Sequence, residues 1–273
     1  MSTPAPDDMT LRPGRPGQAN LVLGLLAGAA LVLLALPLVG LLVRVAPGEL
    51  WRQLGEPAVQ DALRLSLVVS AWAAALSVAL GFPLAYALAR LDFPGRGLAR
   101  ALVTLPMVLP PVVGGAALMS AFGRQGLLGG LLEHGLGVIL PYTPAGAVVA
   151  ATFVAAPFFI TTVEGALRGL DPRLEHAAAS LGASRWRIVG TIVLPAIRPS
   201  LLAGLALCWA RALGEFGATI TFAGNLQART QTMPLAVYEA LYTTPDAAIA
   251  LSLLLLAVSL ALLAALRGHL ARP

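Results

Sequence analysis

Lysine is absent from this 273-residue chain, and cysteine occurs once, at Cys208. A nucleotide-binding phosphate loop places a lysine on the phosphates, so the chain carries no standard ATP-binding cassette. If its work is ATP-driven, the ATPase is another polypeptide. One cysteine excludes an internal disulfide framework. Charged residues make up only 11% of the chain, where soluble domains have about a quarter, so a soluble fold is excluded. His134, His176 and His269 fall in separate polar segments, with no cysteine or carboxylate at ligand spacing. No metal site is predicted from them, and no nucleophile–base set marks a catalytic centre. The net charge of +5 rests wholly on arginine. These arginines are scattered between apolar runs without interleaved aromatics, which argues against nucleic acid.

What is abundant is apolar length: 58% of the residues are hydrophobic. Six runs, Leu21–Val43, Leu65–Ala89, Leu98–Phe122, Ala145–Leu167, Leu201–Phe222 and Ala247–Leu266, each reach the ~20 residues that a ~30 Å hydrocarbon core requires. The expectation is an all-α membrane protein of six transmembrane helices. Residues 1–20 read as a disordered tail, 21–43 as the first span, 65–266 as the core and 267–273 as a second tail. Leu21–Val43 exceeds a signal-peptide core and lacks a clean cleavage site, so it reads as a retained anchor. Gly24 and Gly28 form a Gly-xxx-Gly pair that could mark close helix packing, a pattern of little specificity in so glycine-rich a chain. With the N-terminus inside, twelve arginines lie in inner segments and five (Arg44, Arg52, Arg64, Arg124, Arg229) in outer ones. That bias predicts a multi-pass protein with both termini cytoplasmic.

Two spans are unusual. The third contains TLPMVLPPVVGGAAL, with Pro106, Pro110, Pro111, Gly114 and Gly115. Each proline removes a helical hydrogen bond and clashes with the preceding turn. The span is either a kinked packing helix or a border of a translocation path. The fifth contains RALGEFGATIT, in which Arg211 and Glu215 stand four apart. On a continuous helix they would share a face and pair. An intramembrane charge is costly enough to face the bundle interior, either as a register-holding pair or as part of a path. Thr219, Thr221 and Asn225 add neutral groups that could relay a small anion without trapping it. In the fourth span, Thr161 and Thr162 could satisfy backbone groups freed by Pro157, and Glu164 reads as a solvated helix end. The outer segment Gly224–Asp246 reads as a surface or re-entrant helix.

Between the fourth and fifth spans lies Asp171–Pro195, DPRLEHAAASLGASRWRIVGTIVLP. Asp171 and Pro172 start a helix, and Leu174, Ala178 and Leu181 repeat at helical spacing on one face. Gly182 stops that helix, and Ser184 starts another. Such a surface helix suits docking of a soluble partner. The stretch resembles the cytoplasmic loop of ATP-binding-cassette importer permeases, Glu-Ala-Ala, three residues, Gly, nine residues, Ile-x-Leu-Pro. Ala177 and Ala178, Gly182, and Ile192, Leu194 and Pro195 match it. His176 occupies the glutamate position, with Glu175 one residue earlier. The run Arg211–Tyr238 is similar to molybdate permease subunits, close to their sulfate and tungstate relatives.

The resemblance covers most of Leu65–Leu266. It implies the type I importer permease fold, with coupling loop 171–195 meeting the ATPase through Asp171, Glu175, His176, Ala177, Ala178, Gly182, Ile192, Leu194 and Pro195. It further implies a path near Pro110, Pro111, Arg211, Glu215, Thr219, Thr221 and Asn225. The implied assembly is a homodimer of permease subunits in the lipid of a bacterial inner (plasma) membrane. Two ATP-binding-cassette subunits and a periplasmic or extracellular molybdate-binding protein complete it. ATP and magnesium would be used by the partner ATPase, and no cofactor by this non-catalytic chain. The alternatives are a sulfate or tungstate permease subunit or, on different physics, an ion-driven secondary transporter. The second would need inverted repeats and unmatched intramembrane carboxylates, and Glu215 already has Arg211.

Overall fold

The computed structural model describes residues 18–46 and 48–270. Among them the secondary structure is helical throughout, with no strand. The chain divides into two units, up to Val45 and from Ala46 onward. The first unit is α1 (Gln18–Arg44), whose apolar side chains are exposed along its length. The expected tail, residues 1–20, lies outside the described residues up to position 17, and Gln18–Asn20 already belong to α1. The expected tail 267–273 is helical as far as Leu270, and its last three residues lie outside the described ones.

The second unit begins with α2 (Glu49–Gly55), α3 (Pro57–Arg90), α4 (Arg96–Val108), α5 (Pro111–Phe122), α6 (Gly129–Leu136) and α7 (Pro144–Gly169). After these come α8 (Pro172–Ser180), α9 (Arg185–Ile188), a π-helical stretch Val189–Val193, and α10 (Leu194–Leu213). It closes with α11 (Gly217–Phe222), α12 (Met233–Thr243) and α13 (Pro245–Leu270). Among the described residues, five helices are long and apolar enough to cross a membrane. The third expected span is two helices, α4 and α5. The fifth is displaced: it runs unbroken from Arg185 through the π stretch to Leu213 and then stops. The coupling segment 171–195 therefore ends inside that helix. The expected surface helix after Gly224 is α12.

α3 and α7 make the most extensive helix pair, and α10 packs on both. The buried face of α3 is a stripe of small residues, Ser66, Ser70, Ala73, Ala74, Ser77, Gly81 and Ala85. Small side chains let helix backbones approach where no water drives association. Gly81 shows how closely: a Cβ there would stand 2.9 Å from Ile160 Cγ1. Phe159, Val163 and Leu167 fill the seam from α7. The serines also cross-link helices, Ser66 Oγ accepting from Met233 N (2.7 Å) and Ser70 Oγ from Trp209 Nε1 (3.0 Å). A second cluster joins Val59 and Ala62 of α3 to Met233, Ala247 and Leu251 of α12 and α13. A third joins Leu118, Val154, Ala218 and Phe222, and so fixes α5 and α11 to α7.

Candidate functional site

In the loop after α7 the local chemistry works as its residues predict. Asp171 Oδ1 accepts from Arg173 N (2.9 Å) and caps α8. Gly182 has φ 82°, a left-handed conformation that costs other residues roughly 1–2 kcal/mol. Ser184 Oγ then accepts from Arg187 N at 3.4 Å to start α9. The expected single face divides: Ala178 is half-buried against the core, whereas Leu174 is 50% and Leu181 89% exposed. Trp186 is exposed as well. Ala177 and His176 are exposed, while Ile192 and Leu194 are half-buried in the continuous helix. Pro195 lies just after the π stretch, where the wider turn relieves the clash of its ring with the carbonyl four residues back. Its helix therefore continues without a break.

Glu175 faces inward. Its Oε1 accepts from Arg90 Nε (2.8 Å) and its Oε2 from Tyr86 OH (3.1 Å). Arg90 Nη2 also donates to Leu170 O (3.0 Å). This ties α8 to the end of α3 and leaves His176 as the exposed polar neighbour. The same end of α3 is held by two more arginines. Arg96 Nε and Arg100 Nη2 both donate to Leu88 O, at 2.8 and 2.9 Å, where a helix C-terminus is partially negative. Arg100 Nε donates to Glu164 Oε1 at 2.6 Å. Glu164 is thus no solvated helix end: it is 8% exposed and ion-paired. Its position on the stripe Ile160, Val163, Leu167 was the available signal. Nor do Thr161 and Thr162 serve Pro157 as expected, because their hydroxyls donate to Pro157 O and Phe158 O. The carbonyl that Pro157 leaves without its helical donor is that of Phe153.

The two interrupted spans meet at their interruptions. Leu109 and Pro110 are extended (ψ 135° and 132°), and α5 restarts at Pro111. In the fifth span α10 ends at Leu213, and Glu215 sits in the gap. Arg211 and Glu215 do pair, Nη1 to Oε2 at 2.7 Å, but across a helix end rather than along one helical face. Oε2 lies off the line of a hydrogen bond, so the contact is one of charge, while Oε1 accepts from Ala218 N (2.8 Å) and caps α11. Gly217 permits the junction: a Cβ there would be 2.6 Å from Pro111 Cβ. One turn on, a Cβ at Gly115 would be 2.6 Å from Thr221 Cβ.

The remaining path candidates separate. Thr219 is 1% exposed, packed within the helices. Thr221 borders a cavity of about 900 Å³, but its hydroxyl donates to Gly217 O (2.8 Å). Asn225 is drawn toward α12, where Nδ2 donates to Glu239 Oε2 (3.0 Å). Pro110 and Pro111 are exposed. Among the described residues no cluster of His, Cys, Asp and Glu could hold a metal ion.

The family described as binding-protein-dependent transport system inner membrane component matches residues 77–270. The molybdenum transport system permease protein ModB of Mycobacterium tuberculosis is 44% identical over 231 residues, 85% of this chain and 87% of that one. Its Escherichia coli counterpart is 40% identical over 206 residues, 76% of this chain and 90% of that protein. The sulfate transport system permease protein CysT of Escherichia coli is 37% identical over 236 residues, 85% of each. Among solved structures, a bacterial ABC transporter that imports the acidic polysaccharide alginate superposes with TM-score 0.72 at 17% identity, covering 92% of this chain and 96% of that one. The MetNI methionine ABC transporter in an inward-facing conformation gives 0.58 at 17% identity, over 83% and 98%.

Proposed function

The chain belongs to the binding-protein-dependent transport system inner membrane component family, and from that premise we propose that it is the permease subunit of an ATP-driven molybdate importer. Two copies enclose the path, two separate ATPase subunits bind the α8–α9 loops on the cytoplasmic side, and an external binding protein delivers the anion. Both termini lie inside, and six crossings count the pair α4–α5 as one. Molybdate is favoured by relatives at 40–44% identity named for molybdenum transport.

The observation that carries the mechanism is the continuity of the helix from Arg185 to Leu213. Its 29 residues span about 43 Å. When the ATPase dimer closes on ATP, a push on α8 and α9 is carried along this rod to the Gly214–Phe216 gap. The Gly217–Pro111 contact passes it to the interruption in the third span. That interruption is exposed on one chain. Non-helical backbone at membrane depth cannot face lipid, so it faces the second copy and a water-filled path. Pro110, Pro111, Arg211 and Glu215 then lie where the path opens and closes, and selectivity belongs mainly to the binding protein.

Glu175 holds the loop to α3, and docking falls to the exposed His176, Leu181 and Trp186. Aromatic anchors at an interface contribute about 2 kcal/mol or more. Leu181→Arg or Trp186→Ala is therefore expected to weaken ATPase binding by roughly thirtyfold and to stop molybdate uptake in proteoliposomes. Undiminished co-purification of the ATPase with both variants would remove the loop from coupling. A sulfate permease is the second reading, favoured by the 37% identical relative. Uptake of labelled sulfate that excess molybdate fails to inhibit would select it.

A further inference from the structure

At the end of α7 opposite the α8–α9 loop, the cavity of about 900 Å³ is bordered by Arg124 and Arg229 from two different loops. Pockets of several hundred Å³ are the usual size for small-molecule sites. No carboxylate lines this one. Arg124 leaves 65% of its side chain exposed, and its carboxylate contact, Glu133, is distant at 3.7 Å. Arg229 forms no ion pair among the described residues. The wall hydroxyls of Ser120, Thr143 and Thr221 all donate to main-chain carbonyls. The remaining side-chain donors include the two guanidinium groups and the Gln125 amide.

Backbone conformation marks the same place. Tyr142 (φ 59°) and Ala228 (φ 58°) are the non-glycine residues with positive φ among those described. Tyr142 forms part of the cavity wall, and Ala228 directly precedes Arg229. Tyr142 N donates to Phe222 O (3.3 Å), and a Cβ at Gly224 would stand 2.9 Å from the Tyr142 ring. Strained conformations persist where surrounding structure enforces them, and they cluster at binding sites. The floor of the cavity, Ala116 and Thr221, lies one turn beyond the Pro111–Gly217 junction, about 6 Å along the helices.

We propose that this cavity is an antechamber for tetrahedral oxyanion dianions, in which Arg124 and Arg229 gather the hydrated anion above the junction of the two interrupted spans. The inference rests on the transport reading and deepens it by assigning an anion site within the permease itself. A space this large holds the anion with part of its water, at roughly 30 Å³ per molecule. Binding is consequently weak, fast and salt-sensitive, as suits a site that must also release.

The test uses the full permease–ATPase complex in nanodiscs, without binding protein, and equilibrium dialysis against labelled molybdate and, separately, labelled sulfate. The complex is expected to bind both saturably. The pair R124Q and R229Q together should weaken binding about tenfold or more, while R124K with R229K retains most of it. Thermal melting of each complex separates lost binding from lost folding. Equal binding by wild type and the Gln pair, no saturable binding, or displacement by chloride at concentrations no higher than that of the oxyanion would overturn the antechamber. So would a Gln pair that weakens docking of the binding protein without altering dialysis. Absence of oxyanion uptake by the wild-type complex in proteoliposomes supplied with ATP and the binding protein would instead defeat the transport reading on which the inference stands.

Discussion

α3 and α7 each carry a proline in mid-helix, Pro83 and Pro157, and both run on unbroken. The third and fifth spans come apart, by two different means. A lone proline removes one hydrogen bond and crowds the turn before it, and close packing along the α3–α7 seam can hold a helix together around that defect. Consecutive prolines act differently, because the residue before each is pushed out of the α region. Leu109 and Pro110 are accordingly both extended, and two such residues in succession end a helix. The fifth span has no proline at its gap. There Gly214 weakens the helix, and Glu215 reaches forward to cap the next one. On the transport reading, the unbroken pair thus forms the frame, and the interrupted pair forms the part that rearranges.

The sharpest way to break this contrast is Glu215→Ala. It removes the α11 cap and leaves Arg211, whose side chain is 27% exposed, without its counter-charge. Removing one partner of a buried pair costs about 3–5 kcal/mol, and the partial exposure of Arg211 places the expected loss near the low end, about 3 kcal/mol. The complex should melt at a clearly lower temperature and import no molybdate. Glu215→Gln, which keeps an oxygen for Ala218 N, should lose less. Wild-type melting in the alanine variant would show that the gap stands without its carboxylate.

Gly217→Ala addresses the junction itself. Its methyl group would fall 2.6 Å from Pro111 Cβ, and overpacking of that kind costs about 1–3 kcal/mol. The larger effect is expected on uptake, since α5 and α11 must separate to admit the methyl. Uptake at the wild-type rate would mean that the two interrupted helices need not touch.

These differences were unevenly legible beforehand. The Pro110–Pro111 break could be read, because the restriction imposed by a proline is local. The break at Gly214–Phe216 could not: Arg211 and Glu215 at a spacing of four fit a continuous helix as well as a capped gap. The sequence pattern ends the coupling loop at Pro195 and starts the fifth span at Leu201. In the structure the π stretch accommodates Pro195, and α10 absorbs Pro199 in its first turns. Glu175 looked available to a partner because Arg90 and Tyr86 lie 85 and 89 residues away. Partners that distant are brought together only by the packing of α3 on α7. Glu164 was legible in principle, since it falls on the buried stripe of α7.

The smallest effect belongs to the frame, and it has the opposite sign. Gly165 lies inside α7, and apart from the backbone of its own helix no atom comes within 4 Å of where a Cβ would be. Glycine in a helix interior is less favourable than alanine by roughly 0.5–1 kcal/mol, chiefly through backbone entropy. Gly165→Ala is therefore expected to raise the melting temperature slightly and leave uptake unchanged, because no neighbour must move. The same substitution at Gly217 should lower both. If Gly165→Ala instead slowed uptake while stabilising the complex, α7 would itself bend during the cycle, and the division between fixed frame and moving pair would have to be redrawn.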